Sequence, residues 1–213
     1  MLVWIVLTKI PTMQRKWIVI GVVVLIALAL GGSCVSKYNH LVGLDQKVKG
    51  QWAQVQNAYE RRADLIPNLV ETVKGASNFE KDTYVAVTEA RSRAGQATAS
   101  ATAETISDPA KLKEFEAAQT NLTSQLSRLM VTVERYPDLK ATQNFRDLQA
   151  QLEGTENRIT VERQRFNEAS QEFNTVRQSF PMNLFAGFFG SKFAEKSYFS
   201  ARAGSETPPA VKF

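Results

Sequence analysis

A chain of 213 residues with 44% apolar residues holds enough material for one packed domain, and its single cysteine, Cys34, excludes an internal disulfide. The formal charge of +5 does not mark a nucleic-acid binder: Lys9, Arg15 and Lys16 precede residue 37 with no acid among them, leaving 23 basic against 21 acidic residues beyond. Those later charges are interspersed along the chain instead of gathered on one face or tail, which argues against a nucleic-acid partner.

The first stretch, MLVWIVLTKIPT, is too short to cross a bilayer and is broken by Lys9 and Pro11. It precedes Met13, which opens a conventional basic n-region, MQRKW, so residues 1–12 are read as lying outside the translated protein and 1–16 as a cytoplasmic N-terminus. The run WIVIGVVVLIALALGGSCVS, residues 17–36, carries twenty residues without a charge, about the length of a transmembrane helix. Its length favours an uncleaved signal-anchor. A cleaved signal peptide ending at the small residues Gly31 to Ser33, and lipidation of Cys34, stay open as alternatives, although Leu30 sits one residue too far from Cys34 for a good lipobox. Arg15 and Lys16 on the N-terminal flank keep that side in the cytoplasm and place the rest of the chain on the extracytoplasmic side of a bacterial inner membrane.

After Lys37, apolar residues recur in steps of three and four at Leu41, Leu44, Val48, Trp52, Val55 and Tyr59, tracing one face of a helix. Pro67 falls within this pattern, yet Ala63, Ile66, Val70 and Val73 keep its phase, so the proline is read as a kink and not as an end. Gly75 offers a C-cap, and Ser77-Asn78-Phe79-Glu80 reads as a capping box opening a second helix with a weaker face of Phe79, Val87, Ala90, Ala94 and Ala97. The small and polar run GQATASATAETISD predicts a flexible loop. Asp108-Pro109 then caps a third helix whose stripe runs Leu112, Phe115, Gln119, Leu122, Leu126, Leu129 and Val133. A fourth helix follows Tyr136-Pro137, with Phe145, Leu148, Leu152, Ile159, Phe166, Phe173 and Phe180 as its buried row. The prediction is an all-α chain: a transmembrane helix, an elongated antiparallel four-helix bundle over residues 37–199 with a short C-terminal apolar helix, and a flexible tail at 200–213.

The segments YNHLVGLDQKVKGQWAQVQNAYERRADLIPNLVETVKG, FEKDTYVAVTEARSRA, ERYPDLKATQNFRDLQAQLEGTENRITVERQRFNEASQEFN, SFPMNLFAGFFG and YF resemble the LemA family, over nearly everything from Tyr38 to Phe213. The resemblance implies an N-terminal membrane anchor, an exposed soluble part and an elongated, unusual helical bundle. It implies no reaction, because the family has no established catalytic residues to carry over. One departure is Gly190-Ser191, where the family often has a Gly-Phe pair after the apolar segment.

The residues themselves supply no catalytic constellation. His40 is the only histidine, so no Glu-x-x-His pair of the di-iron type can form, and no phosphate loop or G-x-S-x-G elbow occurs. No enzyme activity, cofactor or metal is expected. Two interaction features remain. Arg61, Arg62 and Asp64 on the first helix, with Glu156 and Arg163 on the fourth, form either a solvated charged face or a polar layer inside the bundle. Leu184, Phe185, Phe188, Phe189 and Phe193 form an aromatic run too short to span, which either caps the base of the bundle or lies in the membrane interface with Lys192 and Lys196 toward anionic headgroups. The functional expectation is a membrane-anchored scaffold or adaptor at the bacterial cell envelope. The alternative is a self-assembling protein that shapes or organises the membrane. Its partners are the lipid bilayer and other proteins or copies of itself, with no nucleic acid and no small-molecule substrate.

Overall fold

A computed structural model describes residues 12–77, 79–180, 182–184 and 190–200. The chain divides into two compact units, Met1–Gly43 and Leu44–Phe213. Helix α1 spans Thr12–Lys74 and belongs to both; α2 is Lys81–Ser100, α3 Pro109–Val133, α4 the short Pro137–Ala141, and α5 Gln143–Gln178. Single 3-10 turns occupy Thr105–Ser107 and Gly190–Phe193, and residues 194–200 run without regular structure. Among the described residues there is no strand.

In the first unit, Trp17 to Leu28 are exposed around the whole circumference of α1, with Trp17 and Leu28 at 72% and 68%. Among the described residues of this unit, nothing covers the apolar faces of that stretch. Its most apolar window is long and apolar enough to cross a membrane.

In the second unit the expected stripes face inward: Leu44, Val48, Trp52, Val55, Tyr59, Ile66, Val70 and Val73 of α1 are buried, as are all seven members of the α3 row. One apolar cluster draws Ile66 to Val73 of α1, Val87 to Ala94 of α2, Leu122 to Val133 of α3, Leu139 of α4 and Phe145 to Leu152 of α5. Asp108 caps α3 as predicted, its carboxylate accepting from the backbone N–H groups of Ala110 at 2.9 Å and Lys111 at 3.3 Å, with Pro109 in the first turn.

Three predicted boundaries are corrected. The capping box does not form: α2 starts at Lys81, and its N-cap Glu80 makes no side-chain cap. The small-residue run is not simply a loop: α2 continues to Ser100, and Thr98, Thr105 and Ile106 of the run are buried while its other residues are exposed or half-buried. Small side chains there let α2 approach α3 closely. The single long fourth helix is two, since the Thr142 N–H closes on Leu139 and its hydroxyl accepts from Phe145 N–H, capping α5. Phe180, expected in the buried row, lies beyond the end of α5 and is exposed. The short C-terminal apolar helix is helical at Met182 to Leu184, residues 185–189 fall outside the described residues, and Gly190–Phe193 is a 3-10 turn, not α-helix.

Pro67 sits inside α1. Having no N–H, it leaves the carbonyl of Ala63 without its helical donor. Arg91 of α2 supplies the missing donor, its Nε lying 2.7 Å from that oxygen. The break in one helix is thereby filled from a neighbouring one. This predicts a coupled pair: Arg91→Ala destabilises the protein, but in a Pro67→Ala background, where residue 67 donates its own N–H, the loss shrinks, with a coupling of about 1 kcal/mol in a thermal or denaturant double-mutant cycle.

Candidate functional site

Among the described residues of the second unit, Arg62 is the most enclosed charged group, at 1% exposure. Its Nη1 donates to Glu156 Oε1 at 2.7 Å on α5 and to Thr123 Oγ1 at 2.8 Å on α3, while Nη2 donates to Gln119 Oε1 at 2.6 Å. Gln119 turns its amide nitrogen to α2, donating to Thr98 Oγ1 at 2.9 Å and the Ala94 carbonyl at 3.1 Å. The guanidinium carbon lies 5.1 Å from the ring centre of Tyr59, one turn earlier on α1. Burial pushes the Tyr59 phenol above its ordinary range, so the ring stays neutral beside the cation. Arg62 thus touches two other long helices directly and the fourth through Gln119.

Of the sequence-predicted residues, Arg62 and Glu156 meet. Arg61 and Asp64 are exposed on the other side of α1 and take no part. Arg163 does not reach the first-helix charges, being two turns or about 10.5 Å further along α5 than Glu156. It pairs instead with Glu116 at 2.8 Å, donates to the Ser200 carbonyl at 2.9 Å and lies over the Phe199 ring.

Those last contacts belong to a second site that the sequence reading did not find. From Phe193 to Ser200 the chain runs back along α5. Asn174 donates to the Lys196 carbonyl at 2.8 Å and accepts from Lys196 N–H at 2.9 Å, and Asn167 does the same for Phe199 at 3.0 and 2.9 Å. Seven residues of helix rise about 10.5 Å and three of extended chain about 10 Å, so the two asparagines meet every third backbone unit. Phe199 enters an aromatic cluster with Trp52, Phe115 and Phe166, at ring-centre distances of 5.9, 6.4 and 5.4 Å. Phe193 packs on Phe173 at 1% exposure, so its side chain is turned into the body and away from any lipid surface.

Lys196 is likewise buried and does not face headgroups: its Nζ sits 2.9 Å from Asp45 Oδ1 and 5.0 Å from the Phe173 ring centre. Burial alone would raise the Asp45 carboxyl, but the ammonium groups of Lys49 and Lys196 outweigh it and hold the group below the usual carboxylate range. Of the remaining residues of the aromatic run, Leu184 is exposed, and Phe185, Phe188 and Phe189 lie outside the described residues. The one textual signal for this site was NEASQEFN, with its asparagines seven apart, together with the YF pair near the end of the segment from Phe193 to Ser200, the strap.

An all-helical body joined to one helix apolar enough to cross a membrane defines a class of helical proteins with a membrane-anchor candidate. A profile of the LemA family matches residues 51–213, and the chain belongs to that family. It is similar to Magnetosome protein MamQ 2 of Paramagnetospirillum magneticum, 24% identical over 87% of this chain and 72% of that protein. It is also similar to Magnetosome protein MamQ of Magnetospirillum gryphiswaldense, at 21% over 90% and 75%, and to Protein LemA of Metamycoplasma hominis, at 24% over 71% and 64%.

Two predictions follow from these geometries. Arg62→Ala strands Gln119 and Thr123 and leaves Glu156 without its cation. The expected loss is about 3 kcal/mol, the lower end for a broken buried pair because Glu156 is partly exposed, read as a thermal midpoint lower by about 6–12 °C. Asp45→Asn removes a carboxylate whose folded value is depressed. Its stabilisation is present above the unfolded value near 4 and is lost as pH falls through the folded one. The stability gap between wild type and Asp45→Asn should be full at pH 7 and should close as pH falls below the unfolded value.

Proposed function

We propose that this protein is a non-catalytic scaffold or adaptor, fixed in the bacterial inner membrane by residues 17–36 as a single-pass signal-anchor and presenting an antiparallel four-helix body on the extracytoplasmic side. The observation that carries the proposal is the contrast between the two units. Among the described residues, the first exposes an apolar surface from Trp17 to Leu28, whereas the second commits Arg62, Gln119, Asn167, Asn174 and Lys196 to holding itself together. Groups committed to neighbours in this way position helices and do not act on a substrate.

The antiparallel order is supported by paired contacts whose numbers run in opposite senses: Lys47 with Glu172 and Arg62 with Glu156 between α1 and α5, and Gln56 with Thr98 and Arg91 with Ala63 between α1 and α2. Arg62, reaching across helices at one level, sets their axial register, since a slide of one turn would place its guanidinium beside apolar side chains. The orientation across the membrane rests on Arg15 and Lys16 before the apolar run. A second reading, self-assembly that organises the membrane, is favoured by Ala27 and Gly31, four apart in the exposed helix, where small residues let two such helices approach. The body carries its own exposed apolar contacts for partners in Val131 and Val161.

Anchorage is tested by fractionation. The wild type should stay with membranes under alkaline extraction, and Leu25→Arg with Ile26→Arg, each charge adding roughly 2.5–3.5 kcal/mol to insertion, should move the chain to the soluble fraction. A wild type that washes off the membrane sinks the anchor. Partners are tested with photo-crosslinking side chains at Val131 and Val161, since Trp52 and Tyr59 are too deeply buried to reach another molecule. The adaptor reading expects crosslinks to other proteins, and the assembling reading expects crosslinks to further copies of the chain.

A further inference from the structure

The segment from Phe193 to Ser200 is held in the manner of a bound peptide. Its backbone is read by side-chain amides from Asn174 and Asn167, two aromatic residues fill sockets three positions to either side of a central lysine, and that lysine meets a buried carboxylate, Asp45. A further main-chain bond, Ser197 N–H to the Ile106 carbonyl at 2.8 Å, fixes its other edge to the turn before α3. The groove therefore recognises an extended Phe-x-x-Lys-x-x-Phe sequence, and its occupant here is this chain's own FAEKSYF.

We infer that the groove is a receptor for this segment in trans as well as in cis, and that a second copy of the chain fills it with its own residues 193–200, linking copies by exchange of the strap. The chemistry names the occupant. Asp45 favours a cation at the central position: Lys49 pairs with its Oδ2 from the same helix at 2.7 Å, and an apolar peptide would leave the buried Oδ1, which Lys196 meets at 2.9 Å, without a cation. The asparagine pair fixes the spacing of the extended chain. An identical segment from a neighbour makes every one of these contacts without loss, which is why exchange of like elements is an inexpensive route to dimers. The Asp45–Lys196 pair also gives specificity more than strength, because much of its attraction is spent on desolvation, so the strap is well addressed without being welded in place. Confinement of several copies to one surface would raise the effective concentration of neighbouring straps. The inference deepens the assembling reading, and it stands apart from the anchor: fractionation tests the anchor, and chain-to-chain links through the groove test the exchange.

The experiment uses the full-length protein in a Cys34→Ser background. Two differently tagged chains, one carrying Ser107→Cys and the other Ser197→Cys, are co-expressed and mildly oxidised. Exchange predicts a disulfide-linked heterodimer carrying both tags; its absence, while the double variant Ser107→Cys/Ser197→Cys forms the bond within one chain, overturns the proposal. A second pair of variants guards against misfolding. Asp45→Lys and Lys196→Glu each place like charges in their own groove. In a reciprocal exchange between the two, each groove meets a strap of opposite charge. Co-expressed, they should form a heterodimer with a higher thermal midpoint than either variant alone. If they stay separate and as unstable as each alone, the groove does not accept a strap in trans.

Discussion

The buried guanidinium of Arg62 is the constraint to which the rest of the second unit conforms. A charge taken this far out of water is tolerated only where the strong acceptors around it are aimed correctly, and the three acceptors here come from two other helices: Glu156 on α5, and Gln119 and Thr123 on α3. Gln119 can serve Arg62 with its oxygen only because its nitrogen is satisfied by Ala94 and Thr98. Those residues in turn must be small and helical, which is why the Ala- and Thr-rich end of α2 is ordered. Four helices are thus locked at one level by a chain of directional bonds, while the apolar stripes above and below supply the non-directional adhesion.

The same logic of filling vacancies from a neighbour recurs elsewhere in the fold. Pro67 opens a gap in the hydrogen-bond ladder of α1, and Arg91 closes it. The strap presents backbone groups that no sheet or helix satisfies, and two asparagines of α5 take them up in a register set by the ratio of helical to extended rise. In each case a polar side chain replaces a missing backbone partner.

What could be read from the sequence was what repeats. The stripes of α1 and α3, the apolar run before Lys37 and the Asp108-Pro109 cap are local patterns of period or composition, and the structure carries them as written. Pro67 was legible as internal because the stripe kept its phase, but its rescue by Arg91, 28 residues away, has no local signature. The end of α2 was misread because small residues that favour loops in isolation are also what a close helix contact requires. Half of the polar cluster was visible, in Arg62 and Glu156. The other half was hidden in plain amides: Gln119 counted only as an interruption of an apolar row. The strap was hidden most completely, since an irregular segment has no period, and Phe193 and Lys196 look equally suited to a membrane surface until Asp45 and Phe173 are seen beneath them.

The claim at the centre of this account is that the buried polar network specifies the arrangement of the helices more than it adds to their stability. It is tested most directly by replacing the network with apolar residues of similar bulk, Arg62→Leu, Gln119→Leu and Glu156→Leu together, and recording amide NMR spectra of the full-length protein in detergent. The account predicts undiminished helix content and thermal stability, with broadened, poorly dispersed amide signals from helices that no longer share one register. A triple variant whose spectrum is as sharp and well dispersed as the wild type, with the same helix pairing, would contradict it.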